Sequence, residues 1–100
     1  MPAFVLIFED ILDFQVDPAV RAVHVDYLKS LGEQAIVAGP TFGEDQKITG
    51  RVVVADFPSL EDARAFAAEE PLVKAGRVLR WRVSSMAIVQ KDGVFTPLGG

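Results

Sequence analysis

The sequence predicts an α+β fold in which two helices cover one face of a four-stranded antiparallel sheet. Three observations carry this. The elements read in the order β-α-β-β-α-β, both helices open on capping residues, and 100 residues suit a single domain. AFVLIF (3–8) is a first strand of mixed apolar residues. Asp17 and Pro18 supply an N-cap and a first-turn proline. The helix they open is expected to run to about Leu31 and stop at Gly32. AIVAG (35–39) is a short strand closed by Pro40, and FGEDQKITG (42–50) is a polar loop. RVVVADF (51–57) is the third strand. SLED (59–62) resembles a capping box, with Asp62 in place of the usual Glu or Gln, and opens a second helix whose core side is Ala63, Phe66 and Ala67. Pro71 interrupts that helix, and PLVKAG adds one turn ended by Gly76. VLRWRVSSMAIV (78–89) is a long fourth strand. The tail, about 87–100, carries an Asp-Gly turn signal and is expected to form a short hairpin or a dimer arm. This element order is that of a ferredoxin-like plait.

Composition narrows the function classes. The chain has no cysteine, which removes disulfides, iron–sulfur clusters and thiolate metal sites. A formal charge of −4 argues against a nucleic-acid partner, whose phosphates require clustered Lys and Arg. No apolar run has the length of a membrane span, and MPAFVLIFED lacks the basic start of a signal peptide. The expectation is a cytoplasmic domain without membrane contact. One histidine and no cysteine make a metal site improbable, and no glycine-rich phosphate loop is present. No metal or other cofactor is therefore expected.

The strands are apolar on both sides, although two helices can cover only one. In the first strand Phe4, Leu6 and Phe8 oppose Val5 and Ile7; in the third Val52 and Val54 oppose Val53, Ala55 and Phe57. Only the fourth is plainly two-sided, with Leu79, Trp81 and Val83 against Arg80 and Arg82. About six large side chains left on an open face, at roughly 1.5–3 kcal/mol each, rival the whole stability of a domain, about 5–15 kcal/mol. A second copy packed sheet against sheet is the expected cover, giving a homodimer.

The lone histidine, His24, lies on the apolar stripe of the first helix with Val20, Leu28 and Leu31. Two readings follow: a buried structural ring, or an acid/base group whose ordinary range suits proton transfer near neutrality. Glu70 stands at the end of the second helix, before Pro71. It reads either as a cap on the turn that follows or as a functional carboxylate. Arg21, one turn before His24, and Arg51, just past Gly50, are candidates to hold an anionic ligand. Gly39 and Pro40 form a turn that could shape a cleft wall. Tyr27 and Trp81 read as core or interface aromatics.

The ordered set of Arg21 and His24, Gly39-Pro40, Gly50, Phe57 to Glu61 and Glu70-Pro71 followed by Gly76 resembles the YciI-like (YCII-related) family. The resemblance runs from the first strand to about Val83. It implies a dimeric α/β barrel and a His–carboxylate pair in a cleft, here His24 with Glu70 where the family usually has aspartate. The leading reading is a homodimer that binds a small organic acid or aromatic metabolite and catalyses cofactor-free proton transfer of the isomerase or lyase kind. The competing class is a non-catalytic ligand-binding or assembly domain in which the His–Glu pair is structural.

Overall fold

A computed structural model of the chain describes residues 2–98 apart from Phe14. The main elements are β1 (Ala3–Asp10), α1 (Pro18–Lys29), β2 (Ala35–Phe42), β3 (Ile48–Asp56), α2 (Leu60–Ala68), a single turn α3 (Pro71–Lys74) and β4 (Val78–Met86). The two-residue strands β5 (Gln90–Lys91) and β6 (Val94–Phe95) follow. Strands β2-β3-β1-β4 make one sheet, and every neighbouring pair is antiparallel. The fold is ferredoxin-like α+β. Among the described residues no helix is long and apolar enough to cross a membrane.

Local chemistry sets the helix ends. The Asp17 carboxylate accepts the Ala19 N–H at 2.8 Å, and Pro18 follows as the first helical residue. The regular helix ends at Lys29, two residues before Leu31, and a 3-10 turn (Gly32–Gln34) carries the chain into β2. At α2 the Ser59 hydroxyl accepts the Asp62 N–H at 3.1 Å and donates to the Asp62 carboxylate at 3.0 Å. The shorter Asp62 thus meets the capping hydroxyl, where a longer side chain in a full box meets the backbone.

β1 runs on to Asp10 and β3 starts early, at Ile48, and the two edge strands differ further from the sequence expectation. β2 does not close at Pro40 but continues to Phe42, which shortens the polar loop to a turn before Ile48. The order β2-β3-β1-β4 puts β2 on the edge, where a proline's missing N–H breaks no inner ladder. In β4, Glu9 pairs with Arg80 but Asp10 pairs with Val78, so Leu79 is the extra residue of a bulge. Leu79 is accordingly 57% exposed, while Val78, Trp81 and Val83 pack on the core. β4 also stops at Met86, short of Val89. The tail hairpin turns at Asp92 and Gly93, both at positive φ (52° and 79°), as a two-residue primed turn requires.

The core lies between the sheet and α2. Phe4, Leu6 and Phe8 of β1 and Val53 and Ala55 of β3 meet Phe57, Ala63 and Ala67. A line of rings, Phe4–Phe57–Phe66–Tyr27, runs from the sheet through α2 to α1, ending in a stack of Tyr27 on Phe66 with centroids 4.4 Å apart. Tyr27 also donates its hydroxyl to the Phe66 carbonyl at 2.8 Å. That tie holds the C-terminal half of α1. The helix as a whole contains no fully buried residue, and one side of it, with Arg21, His24, Val25 and Leu28, lines a cavity.

Candidate active site

The cavity, about 360 Å³, lies between α1 and the β2–β3 half of the sheet. Its size is within the range of small-molecule pockets. Arg21, His24, Val25 and Leu28 form its roof, Ala38, Gly39 and Pro40 of the edge strand one wall, and Arg51, Val53, Leu72 and Arg77 much of the rest. The residues that the sequence singled out therefore meet in one place: Arg21, His24, Gly39, Pro40 and Arg51 line it, and Glu70 sits behind His24.

Glu70 is fully buried, at the N-cap of α3. Its backbone is extended at that position, which turns the side chain back over the first turn. Oε2 accepts the Leu72 N–H at 3.2 Å, and Oε1 accepts a hydrogen bond from His24 Nδ1. The two readings of this glutamate, cap and histidine partner, are thus simultaneous. Because a carboxylate only accepts, Nδ1 carries the proton. In the neutral ring Nε2 then presents a lone pair. Nε2 has no hydrogen-bond partner among the described residues and is not sealed from solvent, so it is left to the cavity that the ring lines.

Behind two of the lining arginines lies a second polar group that the sequence reading missed. Asp10, with its side chain wholly inaccessible, accepts through Oδ2 from Arg51 Nη2 at 2.6 Å and from Arg77 Nε at 2.8 Å. The Arg51 guanidinium also lies over the Phe8 ring, 5.9 Å from its centroid. A signal for Asp10 was present: it continues the every-second-residue series Phe4, Leu6, Phe8 that faces the helices. A carboxylate on a core-facing position demands a cation. Arg77 had no comparable mark. Among the described residues no three His, Asp or Glu side chains gather as a metal site.

The family model for the YCII-related domain matches residues 2–87. The chain belongs to the YCII-related family. Among solved structures, this YCII-related chain resembles a 5-chloro-2-hydroxyhydroquinone dehydrochlorinase from Burkholderia phenoliruptrix in complex with 2,5-dihydroxybenzoquinone. That match has a TM-score of 0.75 at 26% identity, over 85% of this chain and 93% of that one. A hypothetical protein from Pyrococcus horikoshii shares the fold, with a TM-score of 0.50 at 15% identity over 88% and 92% of the two chains. A dimeric ferredoxin-like protein of unknown function from Thermobifida fusca gives 0.48 at 16%, over 86% and 89%. Among curated proteins, no sequence matches.

Proposed function

We propose that this YCII-related domain is a cytoplasmic homodimer that binds a small organic acid or oxygenated aromatic metabolite and catalyses cofactor-free proton transfer of the isomerase or lyase type. His24 is the acid/base through Nε2. Glu70 fixes the ring's tautomer and orientation. Arg21 and Arg51 face the ligand's anionic oxygens, and Gly39-Pro40 form the wall it rests on. The observation that carries this reading is the double anchoring of Glu70, which leaves His24 with one committed nitrogen and one open to a ligand-sized cavity. The Burkholderia dehydrochlorinase, which holds a dihydroxybenzoquinone on the same fold, supports an oxygenated ring as the ligand class.

A non-catalytic reading has one observation in its favour: Glu70 is also the cap of α3, so the His–Glu pair ties α1 to the chain before β4 whether or not chemistry occurs. Ring C–H exchange of 2,5-dihydroxybenzoquinone in D2O separates the two. The wild type is expected to accelerate exchange, and His24→Gln to lower that acceleration by roughly 10²–10⁴-fold while keeping quinone binding. Quinone binding without accelerated exchange would leave the domain a binding module.

A further inference from the structure

Charge is distributed unevenly in this chain. The formal total is −4, yet among the described residues the cavity lining contains Arg21, Arg51 and Arg77 and no carboxylate. The two nearby acids are already engaged: Glu70 with His24 and Leu72, and Asp10 through Oδ2 with both Arg51 and Arg77, its buried Oδ1 having no partner among the described residues. Arginine does not give up its proton in proteins, so two guanidiniums on one carboxylate leave one positive charge uncompensated. The Arg51 side chain is only 7% exposed, and its Nη1 is buried without a hydrogen-bond partner among the described residues. A buried cation with an idle donor is a costly arrangement that a bound anion relieves.

The geometry is that of a fork. Both arginines donate to the same oxygen, Asp10 Oδ2, so the donating nitrogens lie within about two hydrogen-bond lengths of each other. Arg51 uses Nη2 and Arg77 uses Nε, which leaves Arg51 Nη1 and the two Nη groups of Arg77 without partners among the described residues. Both side chains line the cavity that His24 lines.

We propose that Arg51 and Arg77, held together by Asp10, form an anion-binding fork, and that the ligand of this cavity carries a carboxylate or an ionised ring oxygen seated on it. The inference uses the cavity of the proposed function but not the chemistry of His24. It seats the anionic oxygen on a defined pair and assigns recognition to Arg77 as well as Arg51.

The test compares benzoate with benzamide, a neutral molecule of nearly the same shape, by NMR titration of the methyl groups of Val25, Val53 and Leu72. Benzoate is expected to bind the wild type at least about tenfold more tightly, as charge-assisted bonds to paired guanidiniums require. Arg77→Gln should bring the two affinities together, and Arg77→Lys should keep part of the preference because the charge remains. His24→Gln should leave the preference intact, so a failure of the acid/base reading and a failure of the fork are separable. Equal binding of benzamide and benzoate by the wild type would overturn the proposal. So would an undiminished preference in Arg77→Gln. Absence of cavity shifts with both benzoate and 2,5-dihydroxybenzoquinone at millimolar concentration would overturn it too. The wild-type comparison decides even if Arg77→Gln fails to fold.

Discussion

Glu70 illustrates how one side chain serves two demands. Each of its oxygens has a separate partner, one on α1 and one on α3, and neither bond excludes the other. In the sequence these roles look like alternatives, because only the fold brings α1 beside the end of α2. Tyr27 sits in the same neighbourhood and feels it electrically. Burial, then the negative charges of Glu69 and Glu70, raises its phenol above the ordinary 10.0. A raised folded-state value means that the stabilising contribution is whole below the unfolded value, about 10. It is lost as pH climbs through the higher folded one. The protein should therefore lose stability on the alkaline side, and Tyr27→Phe should flatten part of that loss in denaturant melts across the range. Since Tyr27 is the only tyrosine, an ultraviolet titration reads its phenolate directly; a midpoint at or below the free-phenol value would refute the effect.

Elements differ in how openly the sequence announces them. The helix starts were legible because Asp17-Pro18 and Ser59 are local devices that act within one turn. The run of β2 through Gly39-Pro40 was not, because a proline is tolerated there only by virtue of the strand's edge position, which is a property of the sheet. The same holds for the bulge that turns Leu79 outward, and for Arg77, whose partner Asp10 is far away along the chain. His24, Glu70, Arg21, Gly39 and Pro40 were legible as a set through family resemblance, and Arg51 as a cation just past Gly50; the fold places five of these six on one cavity with Glu70 behind. Gly50 gains a physical reason from the sheet. A Cβ at that position would lie 1.9 Å from the Phe8 carbonyl oxygen of the neighbouring strand. Gly50→Ala should push β1 and β3 apart and cost about 1–3 kcal/mol or more, measurable as a lowered denaturation midpoint with an unchanged slope.

Among the described residues, one face of the sheet carries no helices. Val5 and Ile7 pair across to Val54 and Val52, Val37 beside them is 61% exposed, and Met86 on β4 is 42% exposed. A second copy is the proposed cover, so light scattering should give about twice the 10.9 kDa chain mass. Ile7→Lys, by placing a charge in the middle of that face, should halve the mass while far-UV helix content persists; a wild-type monomer would sink the assembly. On the opposite face, the helix bearing the histidine has no fully buried residue and is held to the rest by Tyr27, the His24–Glu70 bond and partly buried Leu28. Sparse anchoring of this kind gives a segment a low opening free energy of its own, below that of global unfolding. Amide deuteration should thus reach α1 well before α2, and a molecule filling the space beneath α1 should slow it there selectively. Occupancy of the cavity would then be written in the exchange clock of a single helix, readable without knowing what reaction takes place.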